Sequence, residues 1–211
     1  MVLTGEVLQA TLEHLLLAYA ALAAGILVAA PLIFFSLYSA KLASLIMKFS
    51  NLVQAIPNFA VVALVVPLIG IGFTPAVIAI MLRVLLPIIK NTYIGLFNVD
   101  PALIESSKGI GLSEFQIIRH VRLPNAYPAI FAGIKFAAIL ANSIAVLTAL
   151  IGGGGLGSII FEGLTNFNTT KVLAGTLPVI GIALFLDFSF SRIERWLTPE
   201  YLQKLAFMVH Y

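Results

Sequence analysis

Apolar residues in this chain gather into five long stretches, at about residues 14–38, 45–71, 75–93, 126–151 and 172–190, separated by polar intervals. Crossing the hydrocarbon core of a bilayer takes roughly 20 predominantly apolar residues, so each stretch is long enough to span a membrane. The second contains Pro57 and Pro67 and the third Pro87. Proline is tolerated inside a span where neighbouring helices satisfy the carbonyl it frees. The pattern predicts an all-α membrane protein: one transmembrane domain over 1–211, about five kinked and packed helices, no internal repeat.

Composition agrees. Of the 211 residues 61% are apolar and 10% charged, too few charges to cover the surface of a soluble domain this size. There is no cysteine, which excludes disulfides and thiolate metal sites. Lys and Arg are scattered singly, which argues against nucleic-acid binding. Residues 1–13 hold no Lys or Arg, unlike the charged start of a secretory signal, so the first stretch is expected to be a retained span. Positions of the cations predict orientation. Lys41 and Lys48 follow the first stretch, Lys90, Lys108, Arg119 and Arg122 the third, and Arg192, Arg195 and Lys204 the fifth; on the opposite side only Lys171 occurs. The expectation is an outer N-terminus, a cytoplasmic C-terminus and a multi-pass protein of the cell membrane.

The longest polar interval, residues 98–125, carries strong helix punctuation. Asp100 is a good N-cap and Pro101 fits the first helical position. That helix is expected to run to about Lys108 and stop at Gly109. Ser113-Glu114-Phe115-Gln116 reads as a capping box opening a second short helix, through Ile117, Ile118 and Val121 and ending before Pro124, at or near a right angle to the first.

In this interval Glu105-Ser106-Ser107, then Gly111 after three residues, then Val121-Arg122-Leu123-Pro124 after nine more, resemble the "EAA" loop of ABC importer permeases. The chain departs from Glu-Ala-Ala at Ser106 and Ser107 and from Ile-x-Leu-Pro at Val121, each a small or near-isosteric change. The resemblance implies a MetI-like permease fold in which this loop is a coupling helix seated in a cytoplasmic ATPase subunit. Glu105 would pair with that partner, Ser106 and Ser107 would let the helix approach its backbone, Gly111 would form the turn, and Val121, Leu123 and Pro124 would fix the start of the fourth span. It also implies a second permease copy, identical or paralogous, and an external substrate-binding protein. ATP and magnesium would reside on the ATPase, since no G-x-x-x-x-G-K-[ST] occurs in this chain. Ile56-Pro57, 86–93, 100–105 and 149–157 further resemble the branch that moves glycine betaine, carnitine and choline. A permease for another small solute, an ATP-independent transporter and a membrane scaffold are the alternatives; the transporter would call for inverted repeats or an acidic chain, and neither is seen.

Other features are weighed against these. Gly152, Gly154 and Gly157 satisfy G-x-G-x-x-G but follow a span rather than a strand, so they are expected to form a flexible turn that allows close packing or docking, or a plain flexible loop, not a nucleotide site. His14, His120 and His210 have no second ligand or nucleophile at useful spacing. Arg83, Lys135 and Asp187 fall inside predicted spans, where charge is costly and informative. Arg83 is expected either to pair with Asp187 or line the pathway, or to cap carbonyls at a helix interface. Asn142, Ser143 and Thr148 give the fourth span a polar edge, which suits pathway lining or interhelical bonding.

Overall fold

A computed structural model describes residues 2–197; Lys204 and His210 lie outside them. Among the described residues the chain is helical throughout: α1 (Val2–Ser36), α2 (Ala40–Ala55), α3 (Asn58–Ile69), α4 (Phe73–Phe97), α5 (Pro101–Gly109), α6 (Glu114–Ile117), α7 (Leu123–Thr148), α8 (Leu156–Thr165) and α9 (Thr169–Leu197). Four helical segments are long and apolar enough to cross a membrane, namely Gly5–Ser36, Phe73–Phe97, Glu114–Ile151 and Thr169–Trp196. The pair α2–α3 makes a fifth if counted as one span, but it is bent by 102°.

That bend corrects the expected continuous second stretch. Ile56 precedes a proline, and the proline ring forces its backbone out of the helical region, to φ −75° and ψ 132°. Helix α2 therefore ends, and α3 restarts after Pro57. Ser39 caps the start of α2, its hydroxyl accepting from the Leu42 N–H at 3.3 Å. The α3–α4 turn uses Gly70 and Gly72, both at positive φ.

Helix α4 is the centre of the bundle, packed between α7 and α1, with Ala76, Ala79, Ile80 and Val84 wholly buried. In lipid, helices associate through close packing rather than through apolar transfer, and small residues allow backbones to approach. Gly95 and Gly133 do this between α4 and α7. A Cβ on Gly95 would come within 2.7 Å of the Ala129 Cβ, and one on Gly133 within 2.9 Å of the Pro87 carbonyl oxygen. Gly25 makes the matching contact from α1 to Val84. By contrast α9 is mostly exposed in the single chain.

Two further departures concern the fourth stretch. The second loop helix does not end before Pro124. Residues Glu114–Ile151 form one continuous helix, through a π-helical turn at Ile118–Arg122 where the Leu123 N–H reaches back to the Ile118 carbonyl. The wider turn shifts the bonding register just ahead of Pro124, which has no N–H to offer, so the proline sits in the first turn of α7 without breaking the rod. Past Ile151 the glycine-rich stretch leads into a short helix, α8, which the hydropathy pattern does not announce.

Candidate functional site

Local rules fold the first half of the polar interval as expected. Asp100 accepts from the Ala102 N–H at 2.9 Å, and Pro101 opens α5. The far end of α5 is closed by two backbone bonds, Leu112 N–H to Ser107 C=O (3.1 Å) and Gly111 N–H to Lys108 C=O (3.0 Å). This closure requires a left-handed residue, and Gly111 supplies it at φ 86°. Nothing lies within 4 Å of where its Cβ would be, so the glycine is there for conformation and not for space.

Glu105 and Ser106 are exposed and Ser107 is buried. Both serine hydroxyls donate to carbonyls one turn back, Ser106 to Ala102 (2.8 Å) and Ser107 to Leu103 (2.7 Å); Ser106 presents a small, internally satisfied surface, whereas Ser107, expected to open the way to a partner, faces inward. The capping box is formed: the Gln116 side chain accepts from the Ser113 N–H at 2.8 Å and the Gln116 N–H donates to the Ser113 hydroxyl at 3.4 Å. Lys108 and Glu114 bridge the two short helices at 3.2 Å. Ile117 and Val121 are buried beneath them. Arg122 lies 5.2 Å over the Phe97 ring, which stacks on Tyr93 at 4.3 Å. Leu123 and Pro124 are half-buried at the start of α7. The outer surface of this otherwise polar segment carries Leu103, Phe115 and Ile110, the last 79% exposed.

Arg83 is buried in α4 and does not meet Asp187. Its Nη1 donates to the carbonyls of Val53 (2.8 Å) and Ile56 (2.9 Å) at the C-terminal end of α2, by the 102° corner; the Val53 carbonyl also accepts from the Ile56 N–H at 3.3 Å. The cation thus sits where the negative end of the α2 dipole points. Asp187 pairs instead with Lys135 at 2.6 Å, and Lys135 also donates to Ser191 at 2.8 Å, tying α7 to α9.

Asn142 is also interior. Its carbonyl oxygen accepts from His14 Nε2–H at 3.1 Å, and its amide donates to the Val179 carbonyl at 3.2 Å, which joins α1, α7 and α9. Thr148 is fully buried, bonded to the Ala145 carbonyl at 2.8 Å. Ser143 alone of the three is on the exposed face of α7. The glycine stretch is held on both sides: the Ile151 carbonyl accepts from the Gly72 N–H (2.7 Å), and the Gly155 N–H donates to Glu13 (3.3 Å).

One feature that the hydropathy pattern does not reveal is a cavity of about 320 Å³ between α2, α4 and α7, lined by Gln54, Leu86, Pro87, Lys90, Asn91 and Phe136. Lys90 reads in sequence as a loop cation after the third stretch; it stands on α4, whose helix continues seven residues beyond it. Among the described residues no group of three metal-ligating side chains comes together.

Comparison with known proteins places this arrangement. Residues 21–199 match the family model of the binding-protein-dependent transport system inner membrane component. The chain is 40% identical to the glycine betaine/carnitine/choline transport system permease protein OpuCB of Bacillus subtilis, covering 94% of this chain and 92% of that one. It is 37% identical to the carnitine transport permease protein OpuCB of Listeria monocytogenes (92% and 89% covered) and 39% identical to the choline transport system permease protein OpuBB of Bacillus subtilis (95% and 93%). Its fold is that of the MetNI methionine ABC transporter in an inward-facing conformation, with TM-score 0.84 at 21% identity over 93% of this chain and 98% of that one. The chain is a multi-pass membrane protein and belongs to the family of inner-membrane components of binding-protein-dependent transport systems, beside the osmoprotectant permeases.

Proposed function

We propose that this chain is the permease subunit of an ATP-driven importer, and that its cargo is a quaternary-amine osmoprotectant such as glycine betaine, carnitine or choline. The observation that carries the proposal is the segment 98–125: a rigidly capped helix that holds Glu105 outward beside exposed Leu103 and Ile110. Exposed apolar side chains around a charge, on a segment too polar to enter lipid, suit a protein partner. The substrate class is taken from the relatives that the chain matches over most of its length.

In this reading residues 1–211 are one permease domain. Segment 98–125 is the coupling segment, in which Glu105, Ser106 and Gly111 face the ATPase, Ser107 lies on the buried side of the same helix and seats it on this chain, and Val121, Leu123 and Pro124 join the coupling helices to α7. Two cytoplasmic ATPase subunits bind and hydrolyse ATP with magnesium, a second permease copy completes the pathway, and an external binding protein delivers cargo. The N-terminus is outside and the C-terminus cytoplasmic. Of the pathway residues, Ser143 belongs to the surface that meets cargo, whereas Arg83 and Asn142 act by holding that surface in place.

The test is ATP-driven uptake by the assembled importer carrying Glu105→Arg. Charge reversal at the ATPase contact should abolish uptake while the complex still assembles. Undiminished uptake would overturn the coupling role.

A further inference from the structure

The cavity between α2, α4 and α7 is an open groove whose lining carries one charged side chain, Lys90. Lys90 is exposed into the space beside it and forms no ion pair among the described residues. Among the described residues no acidic side chain lines it. Its polar wall is fixed in place: Gln54 Nε2 donates to the Arg83 carbonyl at 2.7 Å, and Asn91 Nδ2 donates to the Pro87 carbonyl at 2.8 Å. Asn91 is held further by the close approach of α7, since a Cβ on Gly133 would come within 2.8 Å of its own Cβ. Phe136, 59% exposed, lines it from α7. A volume of about 320 Å³ is at the lower end of the range for small-molecule sites. Phe136 and Ser143 are seven residues apart on α7, two turns on one face, so the cavity and the exposed serine share a surface about 10 Å long.

We propose that this cavity is a cargo subsite that reads a carboxylate, with Lys90 as the residue that discriminates among substrates; the proposal rests on the importer reading above. An ammonium at the edge of such a groove favours an anionic group through a charge-assisted hydrogen bond. With no acid among the lining residues to neutralise it, the same ammonium repels a purely cationic ligand. A zwitterion reconciles the two: its carboxylate meets Lys90 while its trimethylammonium group lies on the face of Phe136, which attracts quaternary ammonium. The preferred substrate class is therefore the zwitterionic betaines over a cationic alcohol such as choline. Arg83 has no contact with cargo; it fixes the end of α2 and so the position of Gln54.

The test uses the complete importer, with its ATPase and binding protein, in proteoliposomes, and measures ATP-driven uptake of labelled glycine betaine, carnitine and choline. Lys90→Ala should lower uptake of both zwitterions on the order of tenfold, the worth of a lost charge-assisted bond, and should not lower choline. Lys90→Arg should restore the zwitterions, and Lys90→Glu should invert the preference toward choline. Phe136→Ala should weaken all three. If Lys90→Ala fails to assemble, Lys90→Gln keeps the length without the charge and is read in the same way. Unchanged zwitterion uptake, or equal loss of all three with no rescue by Lys90→Arg, overturns the subsite and leaves the importer reading standing. A wild-type importer that moves none of the three overturns the osmoprotectant reading and the subsite with it.

Discussion

Gln54 takes the hydrogen bond that Pro87 leaves unmade. In an unbroken α4 the Arg83 carbonyl would accept from the N–H of residue 87, but proline has none. The Gln54 side chain donates to that oxygen instead, at 2.7 Å, while the Arg83 guanidinium turns back to the carbonyls of Val53 and Ile56. Two helices thus exchange partners around one residue. The proline that would weaken α4 and the proline that breaks α2 are each compensated by the other helix.

Replacing Arg83 by Met should therefore destabilise the corner more than a packing change alone would. The Ile56 carbonyl loses its donor, at about 1–3 kcal/mol for a desolvated group left unsatisfied, whereas the Val53 carbonyl keeps the Ile56 N–H. Thermal unfolding in detergent should show a clear fall in Tm, with Arg83→Lys intermediate because one ammonium cannot match the span of the guanidinium. A Tm unchanged by Arg83→Met would mean that water or lipid satisfies the corner.

Gly111→Ala should cost about 1–2 kcal/mol through backbone strain alone, since its φ of 86° is unfavourable for any residue with a Cβ and the surrounding space is open. Gly111→Asn, which tolerates that region better, should cost less. Comparing ATP hydrolysed per substrate moved for the two variants would show whether the closure of α5 matters to coupling or only to folding.

Gly157→Ala should be the most damaging glycine substitution. The added Cβ would lie 2.2 Å from the Val146 carbonyl oxygen, which is backbone and cannot swing aside. Overpacking of this kind typically costs about 1–3 kcal/mol or more. A large fall in the yield of folded protein is expected, whereas Gly181→Ala, with open space at its Cβ position, should be silent.

The Lys135–Asp187 pair should behave as a modest tie between α7 and α9. Asp187 is more than half exposed in the single chain, which weakens the interaction by solvent screening. A double-mutant cycle with Lys135→Met and Asp187→Asn, followed by thermal unfolding, should give a coupling of about 1 kcal/mol or less. A much larger coupling would mean that a second copy covers the pair.

Features governed by near neighbours along the chain are legible in the sequence itself. Asp100, Pro101 and the Ser113–Gln116 box act within three residues, so their spacing alone predicts the bonds that form. Run lengths announce the spans for the same reason. What the sequence hides depends on partners far along the chain or on a shift in helical register. Arg83 meets Val53 and Ile56 across a corner whose angle hydropathy does not encode, although a proline four residues after an arginine is a signal that the arginine carbonyl is free. Pro124 reads as a stop because the π turn ahead of it leaves no mark in composition. Helix α8 is short, follows four glycines and has no run of its own. Lys90 reads as a loop cation because a charge ordinarily marks the end of a span, whereas here it faces a cavity along α4.

The unbroken helix Glu114–Ile151 has a mechanical consequence. At 1.5 Å per residue its 38 residues measure about 57 Å, nearly twice the thickness of the hydrocarbon core. A rod of that length does not relay a push through a chain of side-chain rearrangements; it carries it directly. A tilt of only a few degrees imposed where α6 begins sweeps the opposite end sideways by several ångströms. There the Ile151 carbonyl is fastened to the Gly72 N–H, so the α3–α4 turn is dragged along with it. The loosely wound turn at Ile118–Arg122 and Pro128 just beyond it are joints in the lever where such a stroke would be absorbed, so stiffening or loosening them would set how much of it arrives.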